Sequence, residues 1–164
     1  VIFVSTGTHE QSFDRLVQCV DRLASGADET FFIQYGYHTK LPVHAAGECL
    51  IDREKMENLI REARIVITHG GPGSISACFD ANKIPIVVPR QHPFGEHVDD
   101  HQLLFCRRLA ISKRIILVED IAGLEKAIQH YEQWVLACGL PEGNSRRGAR
   151  TNFCQKLAVV LENS

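Results

Sequence analysis

The chain has 164 residues, 45% of them hydrophobic and 23% charged, which is the composition of one globular domain and excludes wholesale disorder. Lys and Arg number 18 against 20 Asp and Glu, and the resulting charge of −2 excludes a bulk electrostatic grip on nucleic acid. No apolar run approaches the ~20 residues of a membrane helix, Ile84 to Val88 being the most apolar, and the opening Val1-Ile2-Phe3-Val4, without basic residues or a long apolar region, is not expected to act as a signal peptide.

In chain order, Val1–Ser5 reads as a buried strand that ends at a Gly turn, Thr6-Gly7-Thr8. Ser12 is the expected N-cap of a helix with Phe13, Leu16, Val17, Val20 and Ala24 on one face. Phe31–Tyr35 is the second strand, the stretch from Tyr37 to Gly47 is irregular, and Cys49–Ile51 is expected as a short third strand. Asp52 should cap a helix carrying Met56, Leu59, Ile60 and Ala63, and Arg64–Thr68 follows as a strand. The next helix turns Ile75, Cys78 and Phe79 inward, and Asn82 sits where a left-handed residue closes it. Ile84–Val88 is a strand, Pro89–Gly95 a loop, Val98, Phe105 and Leu109 a helix, and Arg114–Val118 the last strand. Asp120 should cap a helix with Ile121, Leu124, Ile128, Tyr131 and Val135 on one face. A linker over Leu140–Asn144 then leads to a final helix with Ala149, Phe153, Leu157 and Val160.

Strands and helices alternate, and the strands are β-branched without polar alternation, so both faces are covered. The pattern predicts an α/β, doubly wound parallel sheet, in which ligands bind beyond the carboxyl ends of the strands. The six cysteines (19, 49, 78, 106, 138 and 154) lack C-x-x-C or zinc-finger spacing and are expected as reduced thiols of a cytoplasmic protein.

Three loops after strands carry the candidate chemistry. In Ser5-Thr6-Gly7-Thr8-His9-Glu10, Gly7 allows close backbone approach to a ligand and the Thr hydroxyls can bond phosphate or sugar, though an ordinary turn fits equally. The stronger signal is Thr68-His69-Gly70-Gly71-Pro72-Gly73-Ser74, where glycines flank a helix start with Pro72 in its first turn. Such a terminus offers amides and a positive dipole end to an anion, most naturally a diphosphate. It lacks the Lys of a P-loop, and neither Gly loop is G-x-G-x-x-G. In the third loop, Pro89 to Gln102, Arg90 can pair with phosphate, while Glu96, Asp99 and Gln102 can bond sugar hydroxyls. His97 and His101, four apart, mimic a metal pair, but polar lining is the expectation and no metal or other cofactor is called for. The basic clusters Arg107-Arg108, Lys113-Arg114 and Arg146-Arg147 with Arg150 read as solvated faces, and Trp134 with Tyr131 as core or interface.

The strings Ile67-Thr-His-Gly-Gly-Pro-Gly-Ser-Ile75, Ile84-Pro-Ile-Val-Val-Pro-Arg-Gln91 and Phe94-Gly-Glu-His-Val-Asp-Asp-His-Gln102 together resemble the family-28 glycosyltransferase C-terminal domain. Val4-Ser-Thr-Gly-Thr-His-Glu-Gln11 and Phe13-Asp-Arg-Leu16 fit the same pattern over most of residues 1–110. The chain is most similar to small catalytic subunits of two-piece bacterial exopolysaccharide or capsule glycosyltransferases. It is more distantly similar to the cytosolic subunit of the eukaryotic dolichol-linked N-acetylglucosaminyltransferase.

The resemblance implies one nucleotide-sugar-binding domain over 1–164, the C-terminal half of a GT-B enzyme with a Rossmann-like fold. It implies inverting transfer of a hexose from a nucleotide sugar, usually a UDP-sugar, to a lipid-diphosphate-linked saccharide. A membrane-attached subunit would supply the acceptor side at the cytoplasmic face of the plasma membrane. An apolar patch would bind that partner, or a second copy in its absence. The donor would meet Gly7, Thr8, His69, Gly70, Gly71, Pro72, Gly73, Ser74, Arg90, Gln91, Glu96, Asp99, Asp100 and Gln102, with Asp100 and Gln102 on the sugar and the uracil near Tyr35 or Arg90. His9 and Glu10 are the candidates for the base within this chain, with the partner as the other source. Larger relatives carry a ribose-binding Glu where this chain has Cys78, so ribose recognition must move, Glu96 being one recipient. A non-catalytic nucleotide-sugar-binding module, or an epimerase-like enzyme, would use the same pocket.

Overall fold

Short apolar strands can stand side by side only when helices cover both faces, and that is how this sequence is arranged. The computed structural model describes residues 1–38 and 40–138. Six strands, β1 (Ile2–Ser5), β2 (Phe31–Gln34), β3 (Ala46–Glu48), β4 (Ile65–Thr68), β5 (Ile86–Val87) and β6 (Ile116–Leu117), form one sheet in the order β3-β2-β1-β4-β5-β6. Every pairing is parallel. The expected doubly wound α/β sheet is therefore present.

Side chains alternate between two apolar layers. Ile2 and Val4, Ile65 and Ile67, and Ile86 and Val88 pack on one face with Phe13, with Leu16, Val17 and Val20 of α1 (Asp14–Ala24) and with Leu124 of α5 (Leu124–Gln129). On the other face, Phe3 and Val66 meet Ile60 of α2 (Arg53–Glu62) and Cys78 of α3 (Pro72–Asp80). Val87 there packs with Ile75 and with Phe105 and Cys106 of α4 (His101–Ile111). Burying each large side chain of this kind contributes about 1.5–3 kcal/mol.

Local signals explain most element ends. The Asp52 carboxylate accepts from the Lys55 amide at 2.8 Å and caps α2 as expected. Asn82 has φ +56°, the left-handed residue after α3. Asp120 accepts from the Ala122 amide, as a cap, but of a 3-10 turn (Ile121–Gly123) that precedes α5. The single helix expected there is divided, with α5 followed by α6 (Tyr131–Cys138). Tyr131 is core, its hydroxyl donating to the Ile84 carbonyl at 2.8 Å, whereas Trp134 is half exposed.

Three further expectations fail. The third strand is Ala46–Glu48, not Cys49–Ile51; β3 is an edge strand with no buried residue, so it carries no apolar signature. The residue before α1 is Phe13, not Ser12, which instead meets the Asp14 carboxylate at 3.3 Å. Val98 is 70% exposed and outside α4, which starts at His101. Its segment is organised by carboxylates: the His92 amide donates to Asp100 and the His101 amide to Asp99. The linker, the final helix and the Arg146-Arg147-Arg150 cluster lie outside the described residues, as does Cys154. The five described cysteines are unpaired thiols.

Candidate functional site

The chain runs outward from β1 to β3, then returns to the other side of β1 as β4, so the carboxyl ends of β1 and β4 diverge into a crevice. The loops after β1, β4 and β5 converge there.

The loop after β1 is held from beneath by Gln34, which sequence reasoning missed. Its buried amide accepts from the Ser5 hydroxyl and the Gly7 amide, and donates to the Gly7 and Cys49 carbonyls at 3.1 and 3.0 Å. A glutamine ending an apolar strand was the available signal. Gly7 has φ +80°, a conformation that disfavours side chains.

His69 lies between the two Gly loops. A Cβ on Gly7 would stand 2.6 Å from the His69 ring, and one on Gly71 2.2 Å from its Nε2. Both glycines are therefore required by the imidazole they enclose. Gly70 makes room for α4, since its Cβ would stand 2.9 Å from Cys106 Sγ. Gly73 differs, with nothing within 4 Å of its Cβ position. Burial, then the Arg90 charge, depresses the His69 pKa to about 4, so the ring is neutral at pH 7.

Pro72 occupies the first turn of α3, with Gly71 as its N-cap. The Gly71 carbonyl accepts from Ile75, but among the described residues nothing accepts from the amides of Gly71, Gly73 or Ser74. Beside this terminus, between α2, α3 and the strands, lies a cavity of about 140 Å³ lined by Phe3, Ser5, Met56, Thr68, Ser74 and Cys78, among others. The Cys78 thiol is buried there, and burial pushes its pKa up to about 12. Tyr35 packs with the opposite layer, its ring edge-on to His38.

Arg90 does not offer its guanidinium to the crevice. It is 1% exposed and donates to the carbonyls of Thr6, Gln11, Ser12 and Glu96. Its Nε and the Oε1 of Gln11 are buried without a hydrogen-bond partner among the described residues. Burial lowers its pKa to about 10, which still leaves it a cation at neutral pH. Glu96 is likewise unavailable for sugar or ribose. Its carboxylate takes Arg15 Nε at 2.9 Å and the second guanidinium nitrogen at 3.0 Å, and accepts from the Gln91 amide. Arg15, unassigned in the sequence reading, also donates to the Pro89 and Glu119 carbonyls and stacks on Phe94 at 4.8 Å. Gln91 points its amide to the Glu119 carbonyl instead of the crevice. These contacts tie together the loops after β1, β5 and β6.

Toward solvent, Gln102 accepts from the Arg90 amide at 3.3 Å, leaving its NH₂ without a partner among the described residues. Asp100 has one carboxylate oxygen on the His92 amide. Asp99 stands between His97, at 3.2 Å, and His101, at 2.7 Å, and the His101 contacts hold its pKa below the usual carboxylate range. Among the described residues no three His, Cys, Asp or Glu side chains are arranged to hold a metal. His9 stacks on His97 with ring centres 4.8 Å apart, and its Nδ1 accepts from the Gln11 amide at 3.2 Å. Burial, His97 and Arg90 depress its pKa. Thr8 and Glu10 are exposed at the rim. Exposed Phe94 and Val98 form an apolar lip. No helix among the described residues is long and apolar enough to cross a membrane.

No curated protein matches the chain. Among solved structures, the glycotransferase of kitacinnamycin superposes with a TM-score of 0.63 at 16% identity, over 99% of this chain and 42% of that one. The glycosyltransferase SnogD from Streptomyces nogalater gives 0.43 at 18%, over 96% of this chain and 41% of that one. The chain thus spans under half the length of these neighbours, and its sheet is the Rossmann-like one of the GT-B C-terminal half. The glycosyltransferase family 28 C-terminal domain matches residues 1–136, and with that match and this fold the chain belongs to that family.

Proposed function

We propose that this chain is the donor-binding half of an inverting glycosyltransferase that moves a hexose from a nucleotide sugar, a UDP-sugar, to a lipid-diphosphate-linked saccharide of exopolysaccharide or capsule synthesis. The observation that carries the reading is the start of α3: among the described residues the amides of Gly71, Gly73 and Ser74 have no acceptor, and they stand where β4 leads away from β1, beside a ring-sized cavity. A diphosphate on those amides gains charge as the anomeric C–O bond breaks, and donors fixed in advance stabilise that charge more than the ground state.

The nucleobase enters the α2–α3 cavity, not the neighbourhood of Tyr35 or Arg90. At about 140 Å³ it approaches the ~150 Å³ at which a cavity takes a benzene ring. Asp100 and Gln102 present an acceptor and a donor to the sugar hydroxyls. Arg90 acts from behind, as a buried cation and a strut. The acceptor oxygen attacks the anomeric carbon, the electron pair of the breaking bond leaves on the diphosphate, and the hydroxyl proton passes to Glu10, exposed on the loop after β1. No metal takes part. The acceptor-side half, a membrane-attached subunit at the cytoplasmic face, covers the lip formed by Phe94 and Val98.

Calorimetry and thermal shift with UDP, GDP, dTDP and their sugars test the donor site, because a ligand selective for the folded state raises its melting temperature. UDP is expected to stabilise the chain, and no response from any nucleotide refutes the reading. Transfer to a lipid-linked acceptor in membranes carrying the partner separates an enzyme subunit from a binding module.

A further inference from the structure

We infer that His9 is a fixed hydrogen-bond donor to the bound diphosphate and not the proton acceptor of the reaction. An imidazole can act as a base only through an unprotonated, accessible ring nitrogen. In His9 that nitrogen is already engaged: the Gln11 amide donates to Nδ1 at 3.2 Å. A neutral ring that accepts at Nδ1 carries its proton on Nε2. Nε2 has no partner among the described residues, so the group this side chain offers is an N–H.

The surroundings keep the ring in that form. Protonating Nδ1 would set two donors against each other across the Gln11 contact. His97 stacks on one side at 4.8 Å, and the Arg90 cation lies close enough to oppose a second positive charge. Glu10 alone of its charged neighbours acts the other way. Beyond His97, Asp99 and His101 complete the ring of titratable groups. Burial and these charges lower the pKa, in agreement with the geometry. The residue is on the loop after β1, the strand paired directly with β4, whose loop leads into α3, so a donor here complements a diphosphate on the α3 amides.

The inference rests on the diphosphate reading above, and its test separates the two. Two-bond ¹⁵N–¹H spectra of the full ¹⁵N-labelled chain at pH 7 are expected to show His9 with its proton on Nε2, free and with UDP bound. His9→Gln places an amide N–H near the Nε2 position but cannot serve as a base. It should bind UDP within a few-fold of wild type, while His9→Ala weakens binding about tenfold to a hundredfold, the range of one hydrogen bond to a charged group. The pH profile of transfer should keep its acid limb in His9→Gln. Gln11→Pro deletes the amide and should let the proton populate Nδ1, which reads the cause without touching His9.

An Nδ1–H or imidazolium form in the UDP complex overturns the inference. Equal affinities for His9→Gln and His9→Ala, or an unchanged tautomer in Gln11→Pro, also overturn it. If wild type binds none of UDP, GDP or dTDP, the diphosphate reading itself fails, and the spectra of the unliganded chain still decide whether Nδ1 or Nε2 holds the proton.

Discussion

Glu96→Gln removes the buried negative charge that pairs with the partly buried guanidinium of Arg15 and acts on that of Arg90. Glu96 is 4% and Arg15 15% exposed at the side chain, so solvent screens little of their interaction. The carboxylate meets two nitrogens of Arg15 and the Gln91 amide, while Arg90 donates to the Glu96 carbonyl a few atoms away. Glutamine keeps one acceptor oxygen but turns an NH₂ group toward Arg15. Leaving a buried cation without its partner costs about 3–5 kcal/mol. At ~2–4 °C per kcal/mol for a chain of this size, the melting temperature should fall roughly 6–20 °C. Urea denaturation followed by circular dichroism gives the free energy. The control is Glu57→Gln in the pair Arg53–Glu57, exposed 89% and 48%, which should leave the midpoint unmoved. The double variant Arg15→Met/Glu96→Leu should be more stable than Glu96→Gln, with a coupling above about 1 kcal/mol. If Glu96→Gln unfolds with the control's midpoint, this charge pair does not hold the loops.

Gly71→Ala should destabilise by about 1–3 kcal/mol because its methyl would displace the His69 ring, while Gly73→Ala should leave stability intact and weaken UDP binding in calorimetry. Equal stability of the two variants would refute the packing distinction. For His69 the folded pKa of about 4 lies below the ordinary 6.5, so the unfolded chain takes up a proton first on acidification. Its contribution is complete above about pH 6.5 and is lost as the pH falls toward 4, by up to about 3 kcal/mol. His69→Gln should flatten that part of the urea-stability profile, and a profile parallel to wild type would place the ring's titration elsewhere. Arg90→Lys keeps the charge but cannot span four carbonyls, and should cost about 1–3 kcal/mol in thermal unfolding. A wild-type melting temperature would return Arg90 to the list of ligand-facing groups.

The alternation of apolar runs and helical stripes was enough to read the sheet and its two layers, because Ile2, Val4, Ile65 and Ile67 have no other place to go. It could not reveal β3, whose Ala-Gly-Glu sequence is paired by backbone alone at an edge. The Gly-rich turn after β4 was legible as a helix start, but that Gly71 there and Gly7 of the loop after β1 together enclose the His69 ring was not, since the contact is made through space. Arg90 and Glu96 show the limit most clearly. Charged residues in a polar loop read as ligand contacts, and only their neighbours Thr6, Gln11 and Arg15, distant in sequence, turn them inward. Arg15 gave no sign beyond its place in a helix, and Gln34 none beyond polarity at the end of a strand.

The grip of Arg90 on carbonyl oxygens has a consequence for how such a crevice can diverge. Carbonyls are the same whatever amino acid carries them, so Thr8 and other rim residues outside the chemistry can be exchanged without loosening the clamp. A lineage could alter which sugar it accepts by drift at the rim while one guanidinium preserves the shape beneath it.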